Sequence, residues 1–293
     1  MRRALLTAAL GALLLAAAPS VAKPRCYGAA SRDHVKPCHN RKLDRMVVPT
    51  PAQALRRPNA PCAVPRLQFP MVCEFGAPEE RAWKRIALIG DSHAVHWRPA
   101  LGRVAERRGW HGFSLSRIGC PLSTAPPILE GSLTAECLRW RDAVHAWLNA
   151  HPGVDTVFVS QHRAHVRGGY AAEVAGYLAA WRELPPSVER IVVIRDTPVR
   201  PRATRRCVVA AIRRRQAAGR VCAIPRRLVL RPDPAADAAR TAGGRVHLVD
   251  MTRYFCDAHR CFPVVGGVLT HKDGGHITAE FAETLAPYLG ARL

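Results

Sequence analysis

The chain has 293 residues, of which 44 are Lys or Arg and 22 are Asp or Glu, so its formal net charge is +22 at pH 7. Such a charge suggests nucleic acid as a partner, but nearly all the cations are Arg, with only five Lys, and they are spread through the whole chain. We interpret this as a compositional bias, which argues against a nucleic-acid-binding protein and predicts attraction to anionic polymers of the cell envelope.

The first 22 residues have the pattern of a secretory signal peptide. Arg2 and Arg3 precede an apolar run rich in Ala and Leu, which ends in the small-residue site Ser20-Val21-Ala22. No later stretch approaches the ~18 uninterrupted apolar residues of a membrane-spanning helix. We therefore expect an exported bacterial protein, secreted or periplasmic, with no transmembrane span after signal cleavage.

After the signal peptide the chain divides into two regions. Residues 23–82 are rich in Pro, Arg and Cys with weak periodicity, and we expect an N-terminal extension with little regular structure. Residues 83–293 alternate apolar strands with amphipathic helices and are expected to form the main domain. The predicted strands are 85–89, 112–116, 154–159, 190–195 and 246–250.

Helical patterns lie between and after these strands. They are 97–108, a face with Cys137, Trp140, Val144, Trp147 and Leu148, a run over 171–181, and a final stripe with Ile277, Phe281, Leu285 and Leu289. The Pro- and Arg-rich residues 199–242 are expected to be an insertion between the fourth and fifth strands. Alternating β and α units predict a three-layer α/β/α sandwich with a central, mostly parallel sheet.

Ten cysteines in an exported chain indicate disulfides. Their order suggests sequential pairs, namely Cys26–Cys38, Cys62–Cys73, Cys120–Cys137, Cys207–Cys222 and Cys256–Cys261. A zinc site is the alternative interpretation, although no two cysteines have the C-x-x-C spacing that is typical of such sites.

The first predicted strand ends in Gly90-Asp91-Ser92-His93, at the carboxyl end where open α/β sheets bind ligands. In one interpretation Asp91 or Ser92 only caps the following helix. In a second, Asp91 and His93 hold a divalent metal of a metallophosphoesterase, although the chain lacks the GDxxD and GNH clusters that complete a two-metal site. In a third, Ser92 is a nucleophile beside a helix N-terminus, where developing negative charge is favoured.

A nucleophilic serine needs a histidine base and an acid that orients this histidine. The sequence HKDGGHITAEF places Asp273 three residues ahead of His276, in a turn that contains Gly274 and Gly275, just before the last helix. From this spacing the Asp side chain can bend back onto the imidazole. Asp273 and His276 are therefore candidate partners of Ser92.

Together these motifs resemble the SGNH (GDSL-like) hydrolase superfamily, in particular the SGNH domains fused to membrane acyltransferase-3 proteins. The stretches that carry the resemblance are GDSH, SRIGCP, AECLRWRDAVHAWL, VVIRDTP and CDAHRCFPVVGGVLTHKDGGHIT, with CYGAASRDHVKPC and CAVPRLQFPMVCEFG ahead of the domain. They extend over residues 26–290. Because the sequence has no multi-span segment, we expect the domain to stand alone. The resemblance implies a flavodoxin-like α/β/α fold.

For the chemistry, the resemblance implies a Ser92–His276–Asp273 triad that forms an acyl-serine and needs no metal or organic cofactor. In this family the oxyanion hole uses the N–H of the serine, the N–H of a second-block glycine, which is Gly119 here, and a third-block asparagine.

The third block of this chain departs from the family pattern. The strand 154–159 is followed by SQHRAH, which has no Asn. Gln161 as an amide donor, or His162 as a charged donor, would have to replace it. One missing oxyanion donor is worth roughly 3–4 kcal/mol of transition-state stabilisation, so we expect low turnover or a different donor. Asp91 is assigned to the geometry of the turn, and Asp196 to structure at the end of the fourth strand.

The resulting hypothesis is an exported serine esterase or O-acyltransferase that acts on O-acyl groups, in particular O-acetyl groups, of envelope carbohydrate. The expected partners are an acylated polysaccharide or another envelope glycan, with a membrane acyltransferase as a candidate donor protein. The main alternative is a catalytically weak or inactive carbohydrate-binding or scaffold module, and the third is the metallophosphoesterase.

Overall fold

The computed structural model describes residues 22–58, 60–62, 65–66 and 68–293, so the predicted signal peptide, apart from its last residue, lies outside the described residues. The strands are β1 (Pro65–Arg66), β2 (Val72–Gly76), β3 (Lys84–Gly90), β4 (Trp110–Ser116), β5 (Val154–Ser160), β6 (Arg190–Ile194), β7 (Ile224–Pro225), β8 (Val246–Val249), β9 (Arg260–Cys261), β10 (Val264–Val265) and β11 (Val268–Leu269). The α-helices are α1 (Pro51–Arg56), α2 (Ser92–Arg108), α3 (Ser132–Ala150), α4 (Tyr170–Arg182), α5 (Arg202–Arg213), α6 (Ala218–Val221), α7 (Arg226–Val229), α8 (Pro234–Ala242) and α9 (Ala279–Gly290). Short 3-10 helices span Gly28–Arg32, Arg41–Leu43, Glu79–Arg81 and Thr252–Tyr254.

The central sheet has seven strands in the order β1-β2-β4-β3-β5-β6-β8. Five of these strands are parallel to one another, namely β4, β3, β5, β6 and β8. β2 pairs antiparallel with β4, and β1 pairs antiparallel with β2 at the edge of the sheet. Parallel strands are buried on both faces, and this explains the nearly continuous apolar runs at Ile86–Ile89 and Ile191–Ile194. The predicted mostly parallel α/β sheet is confirmed.

Two hydrophobic cores lie on opposite faces of the sheet. One contains Trp97 of α2 and Phe281 of α9, and the other contains Trp140 of α3 and Tyr177 of α4. Successive residues of a strand point to opposite faces, and β3 shows this directly, since it divides its side chains between the two cores. Ile86 and Leu88 lie in the first core, and Ala87 and Ile89 lie in the second. Three layers result.

All five predicted strands are present, with ends that differ by at most two residues from the prediction. The final apolar stripe is also buried as predicted, because Phe281, Leu285 and Leu289 face the core from α9. The helix after β3 begins at Ser92, not at Trp97 as predicted. Its first turn consists of the polar residues of the GDSH motif, which lack the apolar periodicity that the prediction used.

The N-terminal extension has more regular structure than predicted. β2 pairs with β4 along five residues and β1 pairs with β2, so the extension forms one edge of the central sheet. The expectation of little regular structure is therefore wrong for β1 and β2, because strands of two and five residues give almost no periodic signal. The division at residue 82 stays a prediction.

The region 199–242, predicted as an insertion, has two parts. Its first part consists of α5, α6, β7 and α7. α5 and α6 form a small third core around Val208 and Ala218 together with residues of α1, β10 and β11, whereas Val229 of α7 lies in the first core. Its last part is α8, which packs on α4 and contributes Ala235, Ala238 and Ala239 to the second core. α8 is thus the connection between the parallel strands β6 and β8.

The ten cysteines form five disulfides in the sequential order given above, Cys26–Cys38, Cys62–Cys73, Cys120–Cys137, Cys207–Cys222 and Cys256–Cys261. In the described part of the chain, no helix has both the length and the apolar character needed to cross a bilayer.

Candidate active site

The carboxyl ends of four neighbouring strands meet at one edge of the sheet, and the loops after them carry the polar residues of the site. The strands β4, β3, β5 and β6 lie side by side in this order. Asp91 follows β3, Gly119 lies in the turn after β4, Gln161 follows β5, and Asp196 follows β6. The sheet topology therefore brings together residues that are far apart in the sequence.

Gly90 and Asp91 shape the turn from β3 into α2. Gly90 has a positive φ of 148°, and a Cβ there would lie 1.9 Å from the carbonyl oxygen of Ser160 on β5, so only glycine fits. Asp91 is the N-cap of α2, and its Oδ1 accepts a hydrogen bond of 2.7 Å from the His93 N–H. The capping interpretation is thus true for Asp91, and Ser92 is left free at the first helical position.

Ser92, His276 and Asp273 form a connected hydrogen-bonded chain. The Ser92 Oγ lies 2.9 Å from the His276 Nε2, and the His276 Nδ1 lies 2.9 Å from the Asp273 Oδ2. The Asp273 Oδ1 also accepts hydrogen bonds from the backbone N–H groups of Gly275 and His276, at 3.0 and 2.8 Å. This is the connectivity of a nucleophile, a base and an orienting acid.

The Asp273 carboxylate is electrostatically suited to orient His276. Partial burial raises its pKa, but the hydrogen bonds from the His276 ring and from the two backbone N–H groups outweigh this effect and hold the pKa of Asp273 well below its ordinary value. Asp273 therefore remains ionised and accepts a hydrogen bond from the N–H at the His276 Nδ1. The Nε2 is then left to accept the proton of the Ser92 hydroxyl.

The two backbone N–H groups that were predicted as oxyanion donors belong to Ser92 and Gly119. Ser92 occupies the first position of α2, where helical N–H groups have no intrahelical acceptor. Gly119 has a φ of +71° in the turn Arg117–Cys120, which is bonded to the end of β3 through the Arg117 N–H and the Gly90 carbonyl, at 3.1 Å. No described residue accepts a hydrogen bond from the N–H of Ser92 or Gly119.

The two side chains considered for the third donor differ in their electrostatics. Gln161 is 2% exposed, and neither of its amide atoms has a hydrogen-bond partner among the described residues. Burial, together with the nearby His93 and His165, lowers the pKa of His162 to about 4. This lowered pKa disfavours His162 as a charged donor, and the third donor stays a prediction.

A histidine cluster, which we define as His93, His96, His162 and His165, contacts the His276 ring through His93 and His96. The His93 ring centroid lies 5.1 Å from that of His276, 4.6 Å from that of His96 and 4.8 Å from that of His162. His96 is fully buried, and neither of its ring nitrogens has a partner among the described residues. Burial lowers the pKa of His96 well below its ordinary value, so this ring is neutral.

His93 and Asp196 form a second His–Asp pair behind the first. The His93 Nδ1 lies 2.6 Å from the Asp196 Oδ1, and both side chains are almost fully buried. Burial lowers the pKa of His93, but the Asp196 carboxylate more than compensates, and the pKa is raised. Burial raises the pKa of Asp196, whereas the charge and hydrogen bond of His93 lower it, to about 2. The pair is therefore ionic.

The residues of the metal interpretation are occupied by other protein groups. Besides capping α2, the Asp91 carboxylate accepts a hydrogen bond of 2.9 Å from the His162 N–H through its Oδ2 and also bonds the His165 ring. The His93 Nδ1 is paired with Asp196. Asp91 thus ties the β3–α2 turn to the loop after β5, which agrees with the assignment of Asp91 to turn geometry.

The sequence analysis missed the histidine cluster and the pairing of Asp196 with His93. One signal was present, since His93, His162 and Asp196 each follow a predicted strand within a few residues. Whether such residues meet depends on which strands are neighbours, and the order β3-β5-β6 is visible only in the structure.

The α/β/α fold and the contacts among Ser92, His276 and Asp273 agree with an SGNH-type domain. The family model described as "SGNH domain (fused to AT3 domains)" matches residues 61–291. The chain therefore belongs to this family of SGNH domains. Among curated proteins, no sequence matches the chain.

Among solved structures, the chain is similar to the periplasmic domain of the Salmonella ser. Paratyphi A lipopolysaccharide acetyltransferase. The TM-score is 0.56 at 12% sequence identity, and the match covers 72% of this chain and 84% of that domain. At this identity the similarity supports the fold.

Proposed function

We propose that the protein is a serine esterase or O-acyltransferase that acts on O-acyl groups, in particular O-acetyl groups, of envelope carbohydrate. The observation that carries the proposal is the chain of contacts from the Ser92 Oγ through the His276 imidazole to the Asp273 carboxylate, at 2.9 Å for each step. Membership of the SGNH family supports acyl chemistry. The carbohydrate substrate is supported by the lipopolysaccharide acetyltransferase with which the chain shares its fold.

The reaction begins when the Ser92 Oγ attacks the carbonyl carbon of the acyl ester while the His276 Nε2 takes the hydroxyl proton. The negative charge that develops on the carbonyl oxygen is stabilised by the N–H groups of Ser92 and Gly119, with the Gln161 amide as a third donor. When the tetrahedral intermediate collapses, the carbon–oxygen bond to the leaving alcohol breaks, and His276 returns the proton to that alcohol. An acyl-Ser92 remains.

In the second half of the reaction, a water molecule or a glycan hydroxyl attacks the acyl-Ser92. His276 takes the proton of the attacking group, and the acyl–Oγ bond breaks to regenerate the Ser92 hydroxyl. Water as acceptor makes the protein an esterase, and a sugar hydroxyl makes it an acyltransferase. A membrane acyltransferase is a candidate source of acyl groups, since the matching family model describes domains fused to such proteins.

Covalent labelling separates an enzyme from a scaffold module. Incubation with a fluorophosphonate should add one phosphonyl group, and peptide mapping should locate it on Ser92, because only an activated serine reacts with such a reagent. Ser92→Ala should abolish labelling and lower p-nitrophenyl acetate hydrolysis by at least about a thousandfold. The absence of labelling in wild-type protein would favour the scaffold module.

Further variants test whether the three residues act as a unit. His276→Ala should cost nearly as much activity as Ser92→Ala, and the double variant should be no worse than either, since effects within a catalytic unit are not additive. Asp273→Asn should cost less, because Asn keeps an acceptor for the His276 ring and only weakens the stabilisation of the imidazolium.

Chelation by EDTA should leave the rate of ester hydrolysis unchanged. A rate lost on chelation and restored by Mn²⁺ would instead support the metallophosphoesterase.

A further inference from the structure

A groove with basic walls adjoins the loop that contains Asp273. This groove, called the basic groove below, lies between α1, α5 and the segment 263–274 and has a volume of about 640 Å³. Its lining includes the cationic residues Arg200, Arg202, Arg205, Arg206 and Lys272. Asp273 is the one acidic residue of this lining, and it is directed to the His276 ring. The volume is within the usual range for sites that bind small ligands.

Arg200 is the unusual residue of the groove, because it is a buried cation without an acidic partner. Only 6% of it is exposed. Its Nη2 donates to the Phe262 carbonyl at 2.7 Å and its Nε to the His271 Nδ1 at 3.3 Å, whereas its Nη1 has no partner among the described residues. Burial lowers the pKa of Arg200 to about 9. A buried guanidinium without a counter-ion is unfavourable unless an anion completes its surroundings.

His271 carries a second buried polar atom without a partner and lies next to Arg200. Burial and the positive charge of Arg200 hold its pKa well below the ordinary value, so its imidazole is neutral. The Nδ1 lies 3.3 Å from the Arg200 Nε and 3.0 Å from the Thr270 Oγ1. The Nε2 of His271 is buried and has no partner among the described residues.

The first turn of α5 adds favourable electrostatics for an anion. The N-cap is Pro201, and no side chain caps this 12-residue helix. The positive end of the helix dipole and its free N–H groups therefore face the region next to Arg200. Arg202 and Arg205 are exposed on this turn, and neither has an acidic partner in the described part of the chain.

We propose that the basic groove binds the carboxylate or phosphate group of an acidic glycan, next to the acyl-transfer site. The identification of this ligand as a glycan rests on the proposed function. The site is coupled to the catalytic loop, because the Arg200 N–H donates to the Gly274 carbonyl at 2.7 Å, one residue from Asp273. The apolar side chain of Leu55, which is 42% exposed, lines the same groove and offers a surface for a sugar ring.

Direct binding tests the groove without requiring catalysis. The probes are fluorescent oligosaccharides without acyl groups, namely an oligogalacturonate for carboxylate, a phosphorylated oligomannose for phosphate and an oligoxylose as the neutral control. Fluorescence polarisation at about 0.15 M salt, where the screening length is about 8 Å, suppresses long-range attraction. At least one anionic probe should bind about tenfold or more tightly than oligoxylose, and the probe that binds identifies the source of the anion.

Variants of α5 separate a built site from the general attraction of a basic protein. Arg202→Gln/Arg205→Gln should weaken binding of the anionic probe about tenfold. The matched control, Arg213→Gln/Arg214→Gln, removes two exposed charges at the other end of the same helix and should leave binding nearly unchanged. Arg200→Gln should weaken binding at least as much as the first variant, with its melting temperature measured to verify folding.

Three results would overturn the inference, namely equal binding of neutral and anionic probes, equal losses in the two α5 double variants, or full binding by Arg202→Gln/Arg205→Gln. None of them affects the proposed function, which depends on labelling of Ser92. Conversely, the protein could bind an anionic probe through Arg202 and Arg205 without being labelled at Ser92. That result would support the basic groove and contradict the proposed enzymatic function.

Discussion

Each residue of the Gly90–His93 motif has a separate physical task. Gly90 permits the close approach of β5, and Asp91 caps α2 and binds the loop after β5. Ser92 is then held at the first helical position with its Oγ on His276. His93 points away from this contact to a buried ion pair with Asp196. The motif therefore links the nucleophile to three neighbouring strands.

Asp196→Asn tests the importance of the buried His93–Asp196 pair. The substitution keeps the size of the side chain but removes the counter-ion of a buried histidine, so it should lower the free energy of unfolding by about 3–5 kcal/mol.

The stabilisation by this pair depends on pH. The pKa of Asp196 is lowered to about 2, so the contribution of Asp196 to stability is present above its unfolded pKa of about 4 and is lost as the pH falls below that value. The pKa of His93 is raised, so its contribution is complete below ~6.5 and is lost as the pH rises through its folded pKa.

Thermal unfolding between pH 3 and pH 9 measures this effect. The difference between wild type and Asp196→Asn should be largest from about pH 4 to about pH 6.5. Asp155→Asn is a suitable control, because its ion pair with Lys84 is at the surface and should be worth less than about 1 kcal/mol. If Asp196→Asn changes stability no more than this control, the pair has no stabilising role.

At the scale of elements, the triad depends on the packing of two helices. Ser92 begins α2, and His276 lies just before α9. α2 and α9 pack closely through the core that contains Trp97 and Phe281. The loop with His276 is also fixed at its base, where the Thr278 N–H donates to the Thr270 carbonyl at 3.0 Å. The distance between Ser92 and His276 is thus set by the first core.

Sequence analysis predicts those parts of the fold whose signal lies within a short stretch of residues. The buried strands have continuous apolar runs, and the contact of Asp273 with His276 spans three residues, so both could be read directly. Ser92 and Asp196 are different, because their partners lie 184 and 103 residues away. The family resemblance predicted the pairing of Ser92 with His276. The pairing of Asp196 with His93 depends on the order of the strands in the sheet, and the alternation of strands and helices along the sequence does not determine this order. β2 was missed for a similar reason, since its short sequence is specified by pairing with β4.

The disulfide between Cys120 and Cys137 connects the turn that contains Gly119 to α3. Cys120 follows Gly119 directly, and both cysteines are completely buried. Cys120→Ala/Cys137→Ala removes a link across 17 residues, so the free energy of unfolding should fall by about 3 kcal/mol. The freed turn should also displace the Gly119 N–H and lower kcat for p-nitrophenyl acetate about tenfold, with a smaller change in KM.

A second disulfide variant separates the loss of stability from the loss of the donor. Cys207–Cys222 closes a loop of similar length, with a separation of 15 residues, and joins α5 to the end of α6, far from Gly119 in the chain. Cys207→Ala/Cys222→Ala should lose a similar amount of stability without the fall in kcat. Equal kcat values for the two variants would contradict a role for the turn at Gly119.

At the scale of the whole molecule, the extension is joined to the domain at several distant points. Besides the pairing of β2 with β4, the Gly28 N–H donates to the Gly266 carbonyl at 3.0 Å and the Val48 N–H donates to the Gly267 carbonyl at 2.9 Å. The Ala29 N–H donates to the Thr284 Oγ1 of α9 at 3.0 Å. These contacts predict a single cooperative unit from the extension to α9, in which the extension supports the segment that carries the basic groove.

Truncation tests whether the extension and the domain unfold together. A chain of residues 23–293 should show one cooperative thermal transition. A chain of residues 83–293 lacks β2, so it exposes the edge of β4 and the apolar surface that Val72 covers, and such an edge promotes aggregation. It should therefore be largely insoluble or lack a cooperative transition in circular dichroism.

A chain of residues 61–293 keeps β1, β2 and the Cys62–Cys73 disulfide, so it should fold with a lower melting temperature than the chain of residues 23–293. Equal melting temperatures for 83–293 and 23–293 would instead show that the extension is a separate module and that residue 82 is its boundary.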